Sequence, residues 1–261
     1  MKTMSLPTSR SEQSSIASIK IESISKQFPS VGRELSVLEN ISLDVKAGEI
    51  LAIVGRSGSG KTTLLNIISG LEKTTTGEIS VQGSVGYVPQ KDLLLPWRTL
   101  IGNILLPAEI QKRNLKTSVI KARDLLQRNG LAQFEKSYPS EISGGMKQKV
   151  SLIRTLIQDS DIVLFDEPFS AIDFDARLQL VKEIRSYIVS AQKVAIFVTH
   201  NIEEAIAVSD KLVVFSERPA KIIYETNITI PDEYRDPVNV RKSKDFQELF
   251  ERIWKLMSKQ V

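Results

Sequence analysis

Gly55-Arg56-Ser57-Gly58-Ser59-Gly60-Lys61-Thr62 is the stretch whose reading decides the fold. It matches G-x-x-x-x-G-K-[ST], the pattern of a loop that cradles phosphates. Glycines carry no Cβ, so such a loop can wrap an anion closely and turn consecutive N–H groups inward. The helix expected to begin near Lys61 aims its N-terminus at the same anion. Lys61 offers a positive charge to β- and γ-phosphates, and Thr62 offers a hydroxyl to Mg2+. Thr63 is grouped with these ligands in the first helical turn. The flanks agree. Ile50–Val54 is a continuous apolar run, as a buried parallel strand requires. Leu64, Leu65, Ile67 and Ile68 follow at helical spacing, and Gly70 closes the helix.

The chain has 261 residues, of which 41% are hydrophobic, enough to bury a substantial core. Its formal net charge of +4 suits phosphate ligands or an anionic surface only mildly. There are no cysteines, which excludes disulfides, thiol catalysis and cysteine metal sites. No apolar stretch approaches the ~18 residues of a membrane span. The N-terminus is Ser-rich and has no hydrophobic signal region, so a cytoplasmic location is expected. Residues 1–18, with six serines, are expected to be disordered.

Outward from the loop, Ile19–Val45 reads as short strands and turns, because apolar and polar residues alternate in Ile19–Glu22 and Ile41–Val45. Gly77–Val88 reads as a tight hairpin around Gly83 and Gly86. From Leu93 to about Gly145 the pattern is mostly helical, with a break at Pro139. Strand-like runs return at Ile162–Phe165, Val194–Val198 and Leu212–Phe215, with helical segments between them. Alternating strands and helices imply an α/β fold with a parallel sheet covered on both faces. The helical block reads as a subdomain inserted into that core, at about residues 93–150. At the end of the chain, Phe246, Leu249, Phe250, Ile253, Trp254 and Met257 follow helical spacing after Ser243, a candidate N-cap. This amphipathic helix, placed at 241–261, would pack on its own domain, bind a partner or lie on a membrane surface.

Two more stretches carry chemistry. Asp161-Ile162-Val163-Leu164-Phe165-Asp166-Glu167 is a buried apolar strand ending in adjacent carboxylates. Asp166 can hold Mg2+, and Glu167 can polarise a water that attacks a γ-phosphate. Ile142-Ser143-Gly144-Gly145-Met146-Lys147-Gln148 puts small residues ahead of a helix with apolar positions Met146, Val150, Ile153 and Ile157. That arrangement makes a second helix N-terminus able to hold phosphate oxygens.

Taken in chain order, the three stretches resemble the phosphate loop, signature motif and strand carboxylates of ABC transporter ATPases, and the resemblance spans about Ile19 to Val240. It implies a P-loop NTPase fold over 19–240, with a RecA-like parallel sheet, an antiparallel β region and an α-helical subdomain. It implies ATP and Mg2+ as ligands. Phe28 stands where the family stacks an aromatic on adenine. Gln90 matches the glutamine that approaches Mg2+ and the attacking water. Ser170-Ala171-Ile172-Asp173 matches the D-loop, and His200, the chain's one histidine, matches the switch histidine at the γ-phosphate. Met146, Ile172 and Asn201 depart from the commonest family residues without removing a reactive group.

Leu93-Leu94-Leu95-Pro96-Trp97-Arg98-Thr99, together with the Ser-Gly-Gly-Met signature, resembles the nitrate/sulfonate/taurine-type importer ATPases. There the surface around Leu95, Pro96, Trp97 and Arg98 receives a coupling helix of an integral membrane permease. The resemblance implies a head-to-tail dimer of two copies, each ATP lying between one phosphate loop and the opposite signature. It also implies a peripheral location on the cytoplasmic face of the cell membrane and an external solute-binding protein that acts indirectly. The cargo would be a small solute such as nitrate, a sulfonate, taurine, bicarbonate or a pyrimidine thiamine precursor. Three other readings have less support. A soluble cassette ATPase acting on nucleic acid or ribosomes would carry tandem cassettes, coiled-coil inserts or basic arms, and none is visible. The Leu95–Arg98 block argues against an exporter ATPase. A binding module without hydrolysis would not need Lys61, Gln90, Asp166, Glu167 and His200 together.

Overall fold

The computed structural model describes residues 17–30, 33–235 and 238–258. Strand β1 (Ser18–Ser30) pairs antiparallel with β2 (Arg33–Lys46). Strand β3 (Ile50–Val54) runs into the phosphate loop, followed by α1 (Lys61–Ile68). Strand β4 (Thr76–Gln82) returns to the free edge of β1, while β5 (Val85–Val88) crosses into a second sheet. Then come α2 (Leu100–Ile110), α3 (Leu115–Arg128) and α4 (Gly144–Leu156). The chain continues through β6 (Ile162–Asp166), α5 (Phe174–Ser190), β7 (Val194–Thr199), α6 (Ile202–Val208) and β8 (Lys211–Phe215). It ends with β9 (Ile222–Asn227) and α7 (Lys244–Ser258).

The larger sheet has the order β5-β6-β7-β3-β8-β9; only β9 is antiparallel to its neighbour. Every residue of β3, β6 and β7 is buried, which is why these strands read as unbroken apolar runs. Side chains alternate between faces along each strand. Ile50, Ala52 and Val54 therefore join a core with α5, α6 and α7, while Leu51 and Ile53 join a core with α1, β1 and β2. The inserted helices close a third core of their own around Leu100, Ile104, Ala122, Leu126, Val150 and Ile153. The register sets Val54 beside Thr199 and Asp166 beside Val198. The carboxyl ends of β3, β6 and β7 therefore open onto one edge of the sheet, where open α/β sheets gather their ligands.

The structure differs from the sequence reading in four places. Ile19–Val45 forms two long paired strands, because bulges near Ile24 and Lys26 let the alternation reset without ending the strand. Gly77–Val88 is not a hairpin: β4 pairs with β1 and β5 with β6, in separate sheets. Ala17 is buried and Ser18 pairs with Lys46, so the tail expected to reach Ser18 gives way to structure earlier. The rest of that tail lies outside the described residues. The Leu93–Thr99 stretch, read as the start of the helical block, is non-helical. Asn103 holds it there: its side-chain amide donates to the carbonyls of Leu95 and Arg98, and its oxygen accepts from the Leu95 N–H. The last helix buries Phe246 and Ile253 in the core beside α6, whereas Trp254 remains 59% exposed.

Candidate functional site

The loop Gly55–Thr62 is wedged between the sheet and β2. Gly60 has φ 98°, and a Cβ there would lie 3.0 Å from Val37 Cγ1 and from Leu38 Cδ2. Gly55 backs onto Phe215 and the buried Ser59. Lys61 is buried, and its Nζ donates to the carbonyls of Gly55 at 2.8 Å and Arg56 at 2.9 Å. Burial pulls its pKa below the usual lysine value, against the opposing pull of Glu167 and Asp166. A desolvated cation held only by carbonyls and a hydroxyl is a site that an anion would relieve.

Asp166 ends β6, also buried. The Tyr87 hydroxyl lies 3.2 Å from its Oδ2, and the Thr62 hydroxyl also hydrogen-bonds it. Burial raises the Asp166 pKa above the usual carboxylate range in spite of these bonds. The Tyr87 phenol is likewise pushed up, first by burial and then by Asp166. Glu167 adopts φ 47°, left-handed backbone that is rare outside glycine. Its N–H donates to the Val198 carbonyl at 2.9 Å, which holds the turn. Its Oε2 sits 2.7 Å from Nδ1 of His200. Strained backbone of this kind is retained at sites where a side chain must be aimed. Asn201 then caps α6 by accepting from Glu203 and Glu204 N–H groups, the task an Asp would perform there.

These groups border a cavity of about 290 Å3. Phe28, Leu35 and Val37 line one side; Ser57, Gly58, Gly60, Lys61, Thr62 and Thr63 line its base; Gln90, Asp166, Glu167 and Arg218 line the remainder. Phe28 is half-buried, with Lys26 Nζ 4.6 Å from its ring centroid. Not every expected residue is here. Arg56 turns to Glu217, with Nη1 2.9 Å from Oε1. His200 is bonded to Glu167 and borders a separate apolar cavity of about 590 Å3, together with Phe250, Trp254 and Met257. Ser143 caps α4 by accepting from the Met146 N–H at 3.3 Å, and it and Gly144 are exposed away from the cavity. Gly145 lies against the D-loop, where a Cβ would stand 2.8 Å from the Ala171 carbonyl oxygen. Asp173 caps α5, accepting from the Ala176 N–H at 3.0 Å. Arg218 and Tyr87 escaped the sequence reading. Neither belongs to a contiguous motif: Tyr87 arrives on β5 and Arg218 on the turn after β8, and only the sheet order brings them near.

The Thr62 hydroxyl, the Asp166 carboxylate and the Gln90 amide are hard oxygen donors suited to Mg2+. Among the described residues no cluster of three or more His, Cys, Asp or Glu could hold a metal unaided.

Comparison with known proteins points the same way. A family profile described as ABC transporter matches residues 38–170. The chain is 37% identical, over 91% of its length and 94% of the relative's, to the uncharacterized ABC transporter ATP-binding protein YtlC of Bacillus subtilis. It is 35% identical to the aliphatic sulfonates import ATP-binding protein SsuB of Bacillus cereus, over 90% of this chain and 94% of that one. Among solved structures, the dimeric bacterial ABC transporter cassette MJ0796 superposes with a TM-score of 0.75 at 26% identity, covering 82% of this chain and all of that one. A phosphate loop facing strand-end carboxylates, a helical insert carrying the signature and relatives alike over nearly their whole length lead to one conclusion: the chain belongs to the ABC transporter ATP-binding family.

Proposed function

We propose that the Gly55–Thr62 loop and Glu167 form the hydrolytic half-site of an importer ATPase that drives a small solute through a separate membrane permease. The observation carrying this reading is Glu167. Its left-handed backbone puts a carboxylate on the cavity of the buried Lys61, and His200 holds that carboxylate from the other side. In the mechanism, the loop N–H groups and Lys61 bind the β- and γ-phosphates of ATP. Glu167 accepts a proton from the attacking water and orients it. The His200 ring fixes the Glu167 carboxylate, so the base cannot swing away. Thr62, Asp166 and Gln90 would hold Mg2+, which when bound neutralises charge on the phosphate oxygens. Phe28 offers its ring to the adenine.

Ser143 and Gly144 lie exposed beyond the cavity, which supports a site completed by a second copy whose signature covers the γ-phosphate. For the permease, the Leu95–Arg98 block is only part of the surface. Arg98 is occupied by Glu109 at 2.6 Å and by the Gly102 carbonyl. Beside the block runs a groove of about 440 Å3 that Leu71, Leu93, Leu106 and Ile110 line. Leu71 and Ile110 are each 71% exposed, as is Trp97 in the block itself. Apolar exposure of this kind suits an amphipathic helix laid into a groove. Among the described residues no helix is long and apolar enough to cross a membrane. On this reading the chain sits peripherally at the cytoplasmic face, and the external solute-binding protein reaches it only through the permease.

Two measurements test the site. Phe28→Ala should weaken ATP and GTP alike, by about 5- to 150-fold, because stacking tolerates any base. Unchanged nucleotide affinity in the folded variant would return Phe28 to a packing role beside Lys26. Asp166→Asn should raise the melting temperature of the nucleotide-free protein by roughly 2–4 °C while removing the further stabilisation given by Mg-ATP. The sign follows from the raised Asp166 pKa. The native state holds this proton more tightly than the unfolded chain, so stability falls as pH rises through the ordinary Asp value near ~4. Asn avoids the charged form, and its advantage should be present at neutral pH and fade toward pH ~4. An Asn variant that melts earlier than the parent at neutral pH would show that the carboxylate is needed for folding and is not a ligand held at a cost.

A further inference from the structure

The turn after β8 reaches back to the phosphate loop twice. It is closed by Ser216, whose N–H donates to the Lys221 carbonyl and whose hydroxyl accepts from the Lys221 N–H, both at 2.9 Å. From this braced turn Glu217 takes Arg56 in an ion pair at 2.9 Å. Its neighbour Arg218 donates from Nε to the carbonyl oxygen of Gly58, at the apex of the loop and 160 residues away in sequence. A Cβ at position 58 would stand 2.9 Å from Arg218 Nη2, and the backbone there has φ +81°. Glycine suits this position because the turn needs positive φ.

We propose that Arg218 is a nucleotide-binding residue whose guanidinium contacts the phosphate chain from across the loop apex. The proposal rests on the nucleotide reading of this cavity and adds to it a ligand that no motif marks. Arg218 borders the cavity directly and, with Lys61, supplies its lining cations, while Asp166 and Glu167 supply its anions. A tetraanionic substrate beside two carboxylates would draw on Lys61 and on Mg2+ when bound, and a further cation on the cavity wall adds to that attraction. Guanidinium has five N–H donors in a planar fork matched to phosphate oxygens. The Gly58 carbonyl takes only Nε–H, which orients the fork and leaves the donors on Nη1 and Nη2 for an anion. Since Lys61 is fastened to loop carbonyls on the buried side, the two cations would grip the phosphates from opposite sides of the loop.

The test compares Arg218→Ala and Arg218→Lys in the full-length protein, using titrations with fluorescent ATP and ADP analogues and steady-state ATPase rates. Arg218→Ala is expected to raise the Kd for both nucleotides about tenfold, the size of one charge-assisted hydrogen bond at a partly open site. KM should rise with it and change more than kcat. Arg218→Lys should recover only part of the affinity, since the charge remains but the fork and its anchor on Gly58 are lost. Unchanged Kd values in a folded Ala variant would overturn the proposal. So would a loss confined to kcat, because Arg218 would then only brace the loop. Lys61→Ala is the control for the site itself. If the parent protein bound no ATP, or Lys61→Ala bound it as well as the parent, the nucleotide reading of the cavity would fail and not the assignment of Arg218 within it.

Discussion

Glu167→Gln is expected to bind ATP and to hydrolyse it roughly 10²- to 10³-fold more slowly than the parent, the usual cost of losing one positioned group at a reacting centre. The amide keeps the shape of the side chain and can still meet His200 across the 2.7 Å contact. It loses the charge that draws a proton from water. The left-handed turn at residue 167 is held by a backbone bond to Val198, so the substitution should leave the cavity walls in place. With hydrolysis blocked and binding intact, ATP-bound dimer should accumulate. Single-turnover rates, together with size-exclusion chromatography with and without ATP, measure both consequences. Turnover near that of the parent would remove Glu167 from its role as the base.

Lys61→Ala and Ser143→Arg should each be inactive alone and partly active when mixed. Lys61 is buried at the base of the cavity, whereas Ser143 sits exposed at the start of α4 and lines no part of it. If each ATP lies between the loop of one copy and the signature of the other, a homodimer of either variant has both sites broken. A mixed dimer collects both lesions in one site and leaves the other whole. Recovery should then approach one working site in two, less whatever coupling between the sites removes. Ser143→Arg also deletes an N-cap worth about 1 kcal/mol, so its fold should be checked by circular dichroism before mixing. Subunit exchange should be verified in the same samples. Full activity in a strictly monomeric Ser143→Arg protein would sink the composite site, since no opposing signature would then be required.

How much of this was legible in the chain depends on the distance over which each feature is decided. The phosphate loop, the strand ending in Asp166-Glu167 and the capped helix after Ser143 are contiguous, and their chemistry is written in neighbouring residues. Backbone freedom at Gly60, five consecutive buried residues in β3 and β6, and the side-chain cap at Ser143 are all local requirements. The sequence alone therefore determined the α/β class, the phosphate-binding chemistry and the family resemblance.

Other features are pairings between distant segments, and local pattern does not choose among partners. The alternation through Gly77–Val88 fits a hairpin as well as it fits two strands in two sheets. The choice fell to the free edges of β1 and β6, and to Gly77, where a Cβ would stand 2.4 Å from the Ser23 carbonyl oxygen. The same sheet order carries Tyr87 to Asp166, across 79 residues, and Arg218 to Gly58, across 160. A hydrogen bond to a distant carbonyl leaves no periodicity and no spacing to read in the residues that make it. Apart from Arg218 and Tyr87, the sequence by itself pointed to the groups suited to a phosphate chain. Only the tertiary structure decided which of them share one cavity, because that depends on which strand edges were free to pair.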